Sequence, residues 1–204
     1  MNTTNQSDLA KFATVWSLTD EQVEQFSRFI DLLESWSQRT NLVSRHDIDH
    51  IVFRHVEESL FYLESGVRSV HKMADIGSGG GFPSIPLKIL FPDWDMVLIE
   101  SKRMKALFLQ EVVEHLNLKH ITVINARAES LHLSDIDLVT ARAVSSLQQL
   151  WVWARAWLSP SGCLVTLKGG KMDQEEQEFL SLYTDSSLRV VEISNRKLYI
   201  VQNA

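Results

Sequence analysis

The chain has 204 residues, 45% of them hydrophobic, with 20 Lys and Arg against 26 Asp and Glu for a formal net charge of −6. That length suits one sizeable core with an N-terminal addition rather than two full domains, and the acidic balance argues against indiscriminate nucleic-acid binding, which relies on an excess of cations. The lone Cys163 excludes an internal disulfide and a cysteine zinc site and fits a reducing, cytoplasmic setting; a polar start and no long apolar run lead to the expectation of a soluble protein with no membrane span.

Thr19-Asp20-Glu21-Gln22 has the pattern of a capping box. Val23, Phe26, Phe29, Ile30, Leu33 and Trp36 then recur at three- and four-residue steps, which predicts a helix to about Ser37. A second helix is expected from Asp47 to about Leu63, burying Ile48, Ile51, Val52, Val56, Leu60 and Phe61. Both precede the first strand and form an N-terminal helical cap over residues 1–70. From 71 to 204 the rhythm changes to strands at 72–76, 96–100, 121–124, 137–142, 163–167, 188–193 and 197–203. Helices are expected between them near 83–90, 102–116, 146–158 and 172–183. Such alternation predicts one compact α/β unit of Rossmann-like type, its mostly parallel sheet covered on both faces. The last two strands flank Ser194-Asn195-Arg196 and should form an antiparallel hairpin. Trp151, Trp153 and Trp157 invite a base-stacking reading, but Leu147, Leu150, Trp151 and Ala154 make a helical core stripe.

The first strand runs into Asp75-Ile76-Gly77-Ser78-Gly79-Gly80-Gly81-Phe82-Pro83. Gly77, Gly79 and Gly81 permit positive φ and let main-chain N–H groups approach a bound molecule, and Pro83 suits the first turn of a helix. The dinucleotide fingerprint wants a third glycine where Phe82 stands, and the phosphate loop wants Lys-Ser/Thr where the chain has Phe-Pro-Ser. What remains is Gly-x-Gly-x-Gly followed downstream by Met96-Val97-Leu98-Ile99-Glu100, whose carboxylate can accept both hydroxyls of a ribose. That combination resembles the S-adenosylmethionine-dependent methyltransferases of the Rossmann-like class. Gly77 and its neighbours should then lie against the methionine part of the donor, with Phe82 beside it or in the core.

Other strand ends carry cations. Arg142 closes the fourth strand, where its planar fork could hold the donor carboxylate or an RNA backbone. Lys168-Gly169 closes the fifth, placed for a phosphate or base. Lys102, Arg103 and Lys105 open a helix, where the dipole disfavours positive charge, so we read them as attracting RNA phosphates. Arg127 and Arg196 are weaker RNA candidates. Further basic residues lie at Arg45-His46, Arg54-His55 and Lys171, and no metal site is expected.

Five segments in order resemble the bacterial small-subunit ribosomal RNA guanine-N7 methyltransferases, the glucose-inhibited division protein B family. They are Asn41-Leu42-Val43-Ser44, Arg54-His55-Val56-Glu57-Glu58-Ser59, Asp75 to Pro86, Thr140-Ala141-Arg142-Ala143 and Leu167-Lys168-Gly169. Ala128 stands where that family often has valine, and Glu58 where it usually has aspartate. The resemblance implies methyl transfer from S-adenosylmethionine to guanine N7 in 16S ribosomal RNA; separately, a cytoplasmic monomer is expected. It puts Asn41 and His55 beside the active site with Arg142 and Lys168, and Ala128-Glu129 against the adenine of the donor. A small-molecule methyltransferase and a non-catalytic RNA-binding factor that kept the cradle are the alternatives.

Overall fold

Capping and apolar spacing settle the first long helix. The computed structural model describes residues 1–66, 70–169 and 173–203. In it α2 (Asp20–Ser37) starts at Thr19, whose hydroxyl accepts from Gln22 N while Gln22 caps back onto Thr19 N. Asp20 and Glu21 sit favourably in its first turn, and Phe26, Phe29, Ile30 and Leu33 form the buried stripe.

A helix with no apolar period in the sequence precedes it. α1 (Thr3–Trp16) is capped by Asn2 and buries only Asn5, Leu9 and Phe12. With a polar residue in one of three buried positions, the apolar period is too short to register. Asn5 is satisfied by side-chain bonds to Glu34 Oε1 and to the Ile48 carbonyl and Ile51 amide. Those bonds fix the segment where one regular helix was expected from Asp47 to Leu63. It is instead a composite: a 3₁₀ turn (Ile48–His50), a π turn (Val52–Val56), the short α3 (Glu57–Leu60) and a second 3₁₀ turn (Phe61–Ser65). The π turn carries Arg54 and His55, in keeping with the frequent placement of such turns at functional sites.

The strands are β1 (Lys72–Ile76), β2 (Asp95–Ile99), β3 (Ile121–Ile124), β4 (Ile136–Arg142), β5 (Leu158–Gly169), β6 (Ser186–Ile193) and β7 (Arg196–Asn203). They form one sheet in the order β3-β2-β1-β4-β5-β7-β6. β1 to β5 are mutually parallel, and β7 enters antiparallel between β5 and β6. The expected α/β class and C-terminal hairpin are both observed. Two further expectations need correction here. Leu158, placed in a helix, begins β5, because α6 (Leu147–Ala154) ends four residues earlier. Glu100 lies just past β2 rather than in it.

Side-chain alternation along the strands divides the core. Met73, Met96, Leu98, Leu138 and Val165 face α2, α4 (Ser84–Leu90), α5 (Arg103–His115) and the N-terminal turns, while Ala74, Val139, Leu164 and Val201 face α6 and α7 (Asp173–Leu182). Trp151 and Trp157 belong to that second layer, fully or nearly fully buried, so they are core rather than stacking platforms. Lys171 and the first residue of the expected last helix lie outside the described residues. The chain reverses sides between β1 and β4, and α/β sheets take their ligands at the carboxyl ends of strands flanking such a point.

Candidate active site

At the end of β1, Gly77, Gly79 and Gly81 all have positive φ, at 69°, 55° and 86°. Gly79 is the open one: an added Cβ would meet nothing nearer than the Gly77 carbonyl oxygen at 3.5 Å and Lys105 Nζ at 3.8 Å. At Gly81 the same atom would lie 2.7 Å from Ile85 Cγ1, inside the core. Pro83 is the residue before α4 rather than its first. Below the turn, Asp75 is buried and receives hydrogen bonds from the hydroxyls of Ser84 and Thr140. Burial pushes its carboxyl up to about 6 against those bonds, which favour the ionised form.

Glu100 closes the other side. Its Oε2 accepts Gly79 N at 3.0 Å and its Oε1 accepts Lys102 N at 2.7 Å, with the side chain almost fully buried. A carboxylate has about four acceptor positions, so it retains capacity for two hydroxyl donors. Open space at Gly79 beside a buried carboxylate fits the ribose and methionine parts of S-adenosylmethionine.

A cavity of about 540 Å³ adjoins this cradle, lined by His55, Glu58, Arg142 and Val144 and by Lys168 and Arg196, among others. Val144 belongs to both, since an added Cβ on Gly77 would lie 2.6 Å from its Cγ2. The loop after β4 turns at Ala143, which has φ 55°. Arg142 donates from Nη2 to His55 Nδ1 at 2.8 Å, and its guanidinium lies 5.2 Å from the centre of the Phe82 ring. Its Nη1 makes no hydrogen bond with any described residue and stands 3.5 Å from Glu58 Oε2. Because Nδ1 accepts, the His55 tautomer carries its proton on Nε2. Burial and the neighbouring Arg142 charge hold His55 down to about 4, so it is neutral at pH 7. Phe82 packs against His55 and Phe29 with centroids at 5.0 and 5.4 Å.

The structure thus gathers His55, Phe82, Arg142, Lys168 and Arg196 at one end of the sheet, next to Gly77, Gly79 and Glu100. Lys168 is not free there: its ammonium bonds Glu175 at 2.5 Å and the Ser145 carbonyl at 3.1 Å, tying α7 to the cavity wall. Asn41 is exposed, one residue before Leu42, whose carbonyl oxygen would lie 3.1 Å from a Cβ on Gly80. Lys102 and Arg103 are exposed at the head of α5. Arg127 is exposed beside Glu129 at 3.6 Å, and Ala128 is buried in the α6 layer, with Ala128 and Glu129 bordering a separate groove with Trp153 and Trp157.

Two participants had no signal in the sequence, and a third, Glu58, stood out only as a departure from the usual aspartate. Glu58 reaches both Arg142 and Arg196, and Tyr62, fully buried, donates to the Ala141 carbonyl at 2.9 Å and so braces the end of β4. Glu175 neutralises Lys168 from a helix more than 100 residues away from the N-terminal cap.

This strand order, with a glycine turn after β1 and a buried acid after β2, defines a Rossmann-like S-adenosylmethionine-dependent methyltransferase. Residues 22–199 match the model of the family described as rRNA small subunit methyltransferase G. The chain is 40% identical over 175 residues to a ribosomal RNA small subunit methyltransferase G of Roseiflexus castenholzii, covering 82% of this chain and 75% of the relative. It is 34% identical over 189 residues to the protein of that name from Chlorobium phaeobacteroides, covering 89% and 85%. A solved S-adenosylmethionine-dependent methyltransferase from Aquifex aeolicus superposes with a TM-score of 0.57 at 17% identity over 74% of this chain and 90% of that one, a likeness of fold. The chain belongs to the rRNA small subunit methyltransferase G family.

Proposed function

We propose that the protein methylates N7 of a guanine in 16S ribosomal RNA, with S-adenosylmethionine as the donor. The observation that carries this reading is the shared wall at Val144, which sets a cation-lined cavity against the glycine cradle. When bound, the donor sulfonium supplies an electrophilic methyl carbon. Guanine N7 has an in-plane lone pair and loses no proton on methylation, so orientation of the base is the main task left to the protein. His55, neutral and bonded to Arg142, serves here as a positioning residue. A pyrimidine-carbon route would need a cysteine nucleophile, and Cys163 is buried within β5 with its thiol pushed up to about 12.

Arg142 and Arg196 hold the nucleotide from the cavity, and Lys102, Arg103 and Lys105 draw the RNA backbone to the head of α5. Asn41 borders the turn from the cap, and Ala128-Glu129 is assigned to the adenine of the donor on the family resemblance. No helix among the described residues is long and apolar enough to cross a membrane; the protein works in the cytoplasm, as a monomer, on the small ribosomal subunit. The test supplies labelled donor and small subunits from cells lacking the protein, then digests the RNA to nucleosides. Label in 7-methylguanosine supports the reading, and label elsewhere or none refutes it.

A further inference from the structure

A carboxylate in a cavity that must receive RNA is out of place unless it meets a donor. Among the described residues lining the cavity, His55, Arg142, Lys168 and Arg196 bring N–H groups, and Glu58 is the one acid. Neither arginine saturates it. Oε1 is shared by Arg196 Nε and Nη2 at 3.3 and 3.2 Å, long for charge-assisted bonds, and Oε2 stands 3.5 Å from Arg142 Nη1. Each oxygen therefore keeps acceptor capacity, on a side chain only 18% exposed.

We propose that Glu58 reads the Watson–Crick edge of the target guanine, accepting its N1–H and N2–H and thereby selecting guanine over other purines. Around its ring, guanine presents N2–H, N1–H, O6 and N7 in that order: two donors, then two acceptors. The protein brings the complementary groups together in one cavity wall. Arg142 neighbours both Glu58 and the glycine turn: its buried Nη1 lacks a hydrogen-bond partner among the described residues and stands 3.5 Å from Glu58 Oε2, and its guanidinium lies 5.2 Å from the centre of the Phe82 ring. Pairing Glu58 with N1 and N2 puts O6 at Arg142 and turns N7 toward the cradle. Adenine would set its N1 lone pair against the carboxylate. Inosine keeps N1–H, O6 and N7 and lacks only the N2 amine.

This inference rests on the guanine reading above, and its test separates the two. Single-turnover transfer is measured on RNA carrying guanosine, inosine or adenosine at the position mapped by the nucleoside assay; no transfer to the guanosine RNA would dispose of the earlier reading first. The wild-type protein should favour guanosine over inosine by roughly 10- to 100-fold in kcat/KM, the value of one hydrogen bond to a charged acceptor. Glu58→Gln, whose amide sets an N–H against one of the two base donors, should bring that ratio close to one, and Glu58→Asp should retain a preference. A Glu58 that merely holds Arg142 and Arg196 would slow both RNAs alike in the Gln variant and keep the ratio, which overturns the proposal. So does a wild-type ratio near one, whatever the variants do.

Discussion

Gly79→Ala separates the fold from the ligand. The added methyl has room in the protein, with its nearest neighbours at 3.5 and 3.8 Å. The conformational cost is that of an L-residue at φ 55°, about 1–2 kcal/mol. The methyl projects into the open side of the turn, where the donor must approach. A donor pushed off that face and losing two or three of its polar contacts, at about 1 kcal/mol each, binds roughly 30- to 150-fold more weakly. Gly81→Ala should do the opposite: its methyl meets Ile85 at 2.7 Å and Phe29 at 3.4 Å, so overpacking adds about 1–3 kcal/mol to a similar backbone strain. Calorimetric titration with S-adenosylmethionine, alongside denaturant unfolding, measures both quantities. A folded Gly79→Ala protein that binds the donor within threefold of the wild-type affinity would show that the donor does not approach the turn at Gly79.

Glu100→Gln turns an amide N–H toward one of the two backbone donors that the carboxylate now serves, Gly79 N or Lys102 N. Donor affinity should fall about 10- to 100-fold, read by the same titration, and an unchanged Kd discards the ribose role. Arg142→Lys replaces a planar fork that touches His55, Phe82 and Glu58 by a point charge. We expect kcat for methyl transfer to drop at least about tenfold with donor affinity held; full activity contradicts the assignment. His55 gives a pH signature. Its native value is about 4 and its unfolded value about 6.5, so the unfolded chain takes up the proton first as pH falls through 6.5. Stability present above pH 6.5 is therefore lost between 6.5 and 4, about 2 kcal/mol of it by pH 5. Wild type should lose that much more than His55→Gln between pH 7 and 5 in denaturant titrations, and equal losses would count against the buried neutral imidazole.

Residues that act through local chemistry were legible in the sequence. The capping box at Thr19, the strand rhythm after Met73 and the glycine turn announce themselves within a few positions, because capping, pleat period and positive φ are local constraints. α1 was not legible, since Asn5 occupies a core position and finds its partners 29, 43 and 46 residues away. The family resemblance brought His55, Arg142 and Lys168 together, but not the contacts among the cavity's residues. Arg142 could be suspected as a cation ending an apolar strand, but its setting depends on His55 and Glu58, 87 and 84 positions earlier, brought there by an irregular π turn that no helical period reveals. Lys168 shows the converse: its position was legible, whereas its pairing with Glu175 depends on how α7 docks.

The most direct measurement is a crystal structure with the demethylated donor product, S-adenosylhomocysteine, bound. Density is expected at the open face of Gly79, with the ribose hydroxyls on Glu100 and the sulfur facing the cavity of Arg142 and Glu58. Product bound away from the glycine turn, or with its sulfur directed away from that cavity, would contradict it.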